Sequence, residues 1–126
     1  MALTSFADVQ AFFNNFIAAN NIDIGGAPHA AFWSTSYDNF VNGNVPNVLD
    51  PNTNLPIPIL KKGDGAHSNI VYAISGAPGT LWDPNNPAGF GQMPAGGPYF
   101  STAQIQDLSD WITAGCPQSS ATATSF

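Results

Sequence analysis

Three side chains in this sequence are candidates for holding a transition metal together: His29, His67 and Met93. Two imidazoles and a thioether together suit copper. Met93 sits in the Gly/Pro-rich run FGQMPAGGP, residues 90–98, which would present its sulfur from a loop. The spacing of the three matches no ligand motif, and each also reads plainly as structure: His29 as a loop residue in GGAPH, His67 as a helix cap. Non-covalent haem, with His29 or His67 opposite Met93, has only axial-ligand identity in its favour. Cys116 is the single cysteine, which excludes a disulfide within the chain and any multi-thiolate metal site. It either links two chains under oxidising conditions or serves as a small apolar cap on the last helix.

Acid–base chemistry would have to come from Asp23, Asp38, Asp64 or Asp83, with His29 as a partner. Turn chemistry competes, because Asp50-Pro51, Asp83-Pro84 and Asp64-Gly65 are turn-forming dipeptides. Nucleophile-elbow, zinc-protease, P-loop and dinucleotide motifs are all missing from the sequence. Trp33, Tyr37, Asn42, Asn44 and Trp82 form a third candidate set. Flat aromatic surface combined with amide hydrogen bonding serves recognition of a carbohydrate, a small molecule or a protein. The same aromatics would equally serve a core.

Composition narrows the partners. Only 8% of residues are charged, against about 25% in ordinary soluble domains. Lys61 and Lys62 are the only cations beside eight aspartates, and the net charge is −6. Nucleic acid and anionic lipid surfaces need basic clusters, so neither is an expected partner. No apolar run approaches the ~20 residues of a membrane span. Sparse surface charge repels other copies weakly, which favours a homo-oligomer or a larger protein partner. The opening residues MALTSFADVQ lack a basic segment ahead of an apolar core, so no secretory leader is expected there. That reads as cytoplasmic, although the composition also suits a secreted mature chain.

Positioning these residues falls to one domain, residues 1–117, followed by a flexible polar tail, 118–126. Ser5 with Asp8 predicts a helix start, and Phe6, Val9, Phe12, Phe13, Phe16 and Ile17 recur at helical spacing until NNIDIGG ends the run. A second strong helix follows Phe100. Ser101 and Gln104 form a capping box, Ile105, Leu108, Trp111 and Ile112 form the buried stripe, and Gly115 with Pro117 stops it. Shorter helices are predicted through Tyr37–Val41 and through Ile70–Ile74. NVPNVLDPNTNLPIPILKKGDG and GAPGTLWDPNNPAGFGQMPAGGP, which hold most of the prolines, read as loops. The class is mainly α.

Residues 91–117, GQMPAGGPYFSTAQIQDLSDWITAGCP, resemble the C-terminal signature of class I cytochrome c-like domains, where Met-Pro-Pro-Gly-Gly-Pro precedes the final helix. The resemblance runs from about Asp8 to Pro117. It implies a cytochrome c-like fold with N- and C-terminal helices packed together, and short helices and long Pro/Gly-rich loops between. In that family the first helix leads into Cys-x-x-Cys-His, and the matching positions here are Ile17, Asn20 and Asn21. None can form a thioether or ligate iron, so covalent haem is excluded by residue identity. Met93 takes the place of the distal ligand. Unfilled volume would cost roughly 24 cal/mol per Å³, so Phe32, Trp33, Phe40, Tyr72, Trp82 and Phe90 are expected to occupy the haem space, with Met93 against them. The function so implied is a haem-free binding or assembly module, mediating protein–protein contact or self-association, with no cofactor and no electron transfer. The alternatives are a small copper protein using His29, His67 and Met93, and a small enzyme with an Asp/His pair.

Overall fold

Ser5 starts the first helix, α1 (Phe6–Ala19), by accepting a 3.1 Å hydrogen bond from the Asp8 N–H on its hydroxyl. The Asp8 carboxylate in turn accepts from the Thr4 N–H and hydroxyl, at 2.9 and 2.8 Å. These bonds hold its pKa below the usual 3.8. The computed structural model describes residues 3–22, 31–95 and 97–118. After α1 come α2 (Tyr37–Asn42), strands β1 (Asn44–Leu49) and β2 (Pro56–Pro58), a 3-10 turn (Gly65–His67), α3 (Asn69–Ser75) and α4 (Thr102–Thr113). No helix among the described residues is long and apolar enough to cross a membrane.

The expected helices all form. Ser101 and Gln104 make both bonds of a capping box at the start of α4. Its far end closes with Gly115 at φ +99, where the Cys116 N–H reaches back to the Trp111 carbonyl and the Gly115 N–H to that of Ile112. Cys116 is thereby fully buried, as the apolar cap of α4. Ser68 precedes α3 without a side-chain bond to the helix. Its buried hydroxyl instead accepts from the Lys61 N–H at 2.8 Å and donates to the Asp64 carbonyl at 2.8 Å, stitching the turn that leads in.

The mainly α, cytochrome c-like expectation does not hold. The stretch read as a proline-rich loop is an antiparallel β1–β2 hairpin. Prolines hid it: Pro46, Pro56 and Pro58 interrupt the pattern, yet a two-stranded sheet has only edge strands, where a missing N–H is tolerated. Asn47, at φ +59, lies where the register shifts. Across this irregularity Val45 and Val48 are half-buried while Asn47 and Leu49 stay exposed.

The main backbone neighbours of α4 are α3 and the 3-10 turn. Between the terminal helices stands the Phe40 ring, 5.4 Å from Phe6 and 6.3 Å from Trp111. Further along α1, Phe16 stacks on Phe100 at 3.8 Å and Phe13 on Trp33 at 4.9 Å. The two ends of the described chain meet where the Phe6 N–H donates to the Gln118 carbonyl at 3.1 Å.

Candidate functional site

The aromatic rings expected to fill the interior wall a cavity instead. Its volume is about 650 Å³, within the range of small-molecule sites. Phe13 and Ile17 of α1 form one side, with Phe32 and Trp33 beside them. Val45, Val48, Leu49 and Ile57 of the hairpin form another, and Asn69, Ile70, Ala73 and Ile74 present one face of α3. Trp82, Phe90 and Met93 come from the long loop after α3. Phe40 stays in the core between α1 and α4, and Tyr72 does not line the cavity.

Each wall is fixed by identifiable bonds. The Trp33 indole N–H donates to Asn14 Oδ1 at 2.8 Å, and its carbonyl accepts from Gln10 Nε2 at 3.0 Å. The long loop is pinned to α3 by Met93 N–H to the Ala73 carbonyl, 2.8 Å, and Gln92 Nε2 to the Ile74 carbonyl, 3.1 Å. Asp83 shapes the turn beneath Trp82, accepting from the Gly79 and Asn85 N–H groups at 2.9 Å each. Those backbone bonds hold the Asp83 carboxyl below its ordinary pKa. Gly89 lets the loop return past Leu81, since a Cβ there would stand 2.1 Å from the Leu81 carbonyl oxygen.

The described wall contains no titratable side chain. Its side chains with polar atoms include the carboxamides of Asn47 and Asn69 and the indoles of Trp33 and Trp82. Asn69 Nδ2 donates to the Pro58 carbonyl at 2.8 Å, which fixes the amide and leaves Oδ1 without a partner among the described residues. Trp82 is 7% exposed and its indole N–H likewise makes no hydrogen bond there, though it is not sealed from contact.

Of the candidates from sequence, Ile17, Trp33, Trp82 and Met93 meet at this cavity. Asn20 and Asn21 do not. Asn20 caps α1, its Nδ2 donating to the Phe16 carbonyl at 2.9 Å, and Asn21 turns the chain at φ +52. Tyr37 is half-buried, with its hydroxyl donating to the Cys116 carbonyl, and burial raises its pKa. Asn42 bonds Asp38 on the surface of α2 at 2.8 Å. Asn44 belongs to a separate, more polar hollow of about 430 Å³ beside Ser34, Thr35 and Asn39.

His67 lies away from Met93's cavity, its Nδ1 2.9 Å from both carboxylate oxygens of Asp64. That bond leads the causes that lower the Asp64 pKa. His29 and Asp23 lie outside the described residues, as do residues 119–126 of the predicted tail. Among the described residues no three His, Cys, Asp or Glu side chains cluster as metal ligands.

Sequence reading missed Asn69 and the hairpin's share of the wall. An isolated Asn after Ser68 looks like helix-start polarity. Only the β-branched Val45, Val48 and Ile57, read through the prolines, could have signalled strands facing the cavity. No family model, no curated protein and no solved structure matches the chain.

Proposed function

We propose that this chain is a binding protein for a neutral, largely apolar small molecule held in the 650 Å³ cavity. The observation that carries the reading is the wall itself: aromatic and aliphatic on several sides, and free of titratable side chains among the described residues. Such a site takes up hydrocarbon because apolar area leaves water, at roughly 25 cal/mol per Å². It disfavours ions, because no opposite charge offsets their desolvation. Catalysis has no comparable support, since the wall offers no acid, base or nucleophile among the described residues.

The test is titration with the uncharged fluorophore N-phenylnaphthylamine. Saturable enhancement is expected, and it should vanish in Ala73→Trp, which fills the cavity from α3 while circular dichroism confirms that the variant is folded. Absence of binding by the native protein refutes the proposal.

A second reading, self-association or docking on a protein partner, draws on Leu49 and Leu55. They are 48% and 61% exposed at the far end of the hairpin, on a chain with few charges to keep copies apart. Light scattering across a concentration series checks it, with Leu49→Ser/Leu55→Ser as the control. A monomer at every concentration removes that reading.

A further inference from the structure

Asn69 and Trp82 line the cavity, and each carries one polar atom, an acceptor Oδ1 and a donor indole N–H, that makes no hydrogen bond among the described residues and keeps some access to solvent. The acceptor's orientation is dictated. A carbonyl cannot donate, so the Pro58 oxygen must face Asn69 Nδ2, and Oδ1 is the atom left over. The donor belongs to a side chain that is more than nine-tenths buried. Groups of this kind lose water when hydrocarbon enters the cavity, and the loss is recovered only if the ligand brings hydrogen-bonding atoms of its own.

We infer that the ligand is a neutral amphiphile ending in a hydroxyl, an aliphatic or alicyclic alcohol, whose O–H donates to Asn69 Oδ1 while its hydrocarbon lies against Phe13, Trp33 and Met93. The inference rests on the cavity-binding proposal and narrows its ligand class. A hydroxyl is the smallest neutral group that both donates and accepts, so it answers either orphan. A carboxylate cannot donate to Oδ1 and finds no cation in the described wall. Neither lysine lines the cavity, and Lys61 is exposed and paired with Asp64 at 3.8 Å. An ether or ester can accept but leaves Asn69 Oδ1 unsatisfied.

The experiment is displacement of N-phenylnaphthylamine by matched ligands at neutral pH: decanol, decyl methyl ether and decanoate, with an alcohol series of increasing chain length. Decanol should bind about five- to tenfold more tightly than the ether, the worth of one hydrogen bond at a part-buried site. Decanoate should be weakest, and each added methylene should tighten the alcohol about fourfold until the chain outgrows the cavity. Asn69→Leu should erase the alcohol's advantage over the ether, whatever its effect on the affinity for the probe. Because that advantage is a ratio within one variant, a general loss of stability does not imitate it. Equal binding of decanol and ether by the native protein, or an advantage that survives in Asn69→Leu, overturns the alcohol assignment and leaves the cavity proposal standing. Failure of the probe itself to bind overturns both.

Discussion

Burial raises the Cys116 thiol to a pKa of about 11, and its side chain is closed off at the end of α4. At mildly alkaline pH only about one thiol in a thousand is then ionised, and the thiolate is the reactive form. Iodoacetamide should therefore leave the folded protein essentially unmodified over hours and label it within minutes in denaturant. Equal rates in the two conditions would show an accessible thiol. The same burial removes Cys116 from any link between chains while the fold is intact. Its capping role was legible in the sequence, because Gly-Cys-Pro follows a helical stripe and a small apolar side chain fits that corner. Asn69 was not legible, since nothing local separates an amide that ends an apolar cavity from one that merely begins a helix. The roles of Ile17 and Met93 were half legible. Met93 was expected against packed rings and Ile17 at a degenerate haem-attachment position, neither as part of a cavity wall.

At the level of elements, α4 depends on a close approach at Gly65. A Cβ there would stand 2.1 Å from the Ser109 carbonyl oxygen and 2.5 Å from its hydroxyl, while the Gly65 N–H donates to Thr113 Oγ1 at 3.0 Å. Gly65→Ala should push the 3-10 turn off α4 and cost about 1–3 kcal/mol, read as a lower urea midpoint. An unchanged midpoint would mean the contact relaxes freely. Helix existence was readable throughout because apolar spacing marks each one, with side-chain caps in agreement at α1, α2 and α4. The hairpin was not, because β1 and β2 owe their pairing to each other across residues 50–55. Only tertiary contact reveals that Val45, Val48 and Ile57 share a side. The cavity was still further from reach, being assembled from α1, the hairpin, α3 and the long loop at once.

For the molecule as a whole, acid is the informative stress. Asp8, Asp64 and Asp83 all have folded pKa values held below 3.8 by hydrogen bonds, led respectively by the Thr4 N–H, the His67 ring and the Gly79 N–H. A depressed folded value means the unfolded chain takes up protons first as pH falls. Their contribution is thus fully present above the unfolded value and is lost as pH drops through the folded ones. The melting temperature should be level from neutral pH to about pH 5 and decline below about pH 4. Asp83→Asn should flatten part of that decline, and because Asp83 holds the turn under Trp82, it should weaken probe binding as well. A melting temperature that stays constant down to about pH 2 would contradict this account of the three carboxylates.

The bond from the Phe6 amide to the Gln118 carbonyl has a practical corollary. Since entry and exit of the described chain lie side by side, the domain can be spliced into a surface loop of a host protein without prying the host strands apart. It can equally be re-opened at the tip between Leu49 and Pro56 and rejoined at its old ends. A permutant of that design would uncouple the hairpin's two arms while leaving every helix continuous.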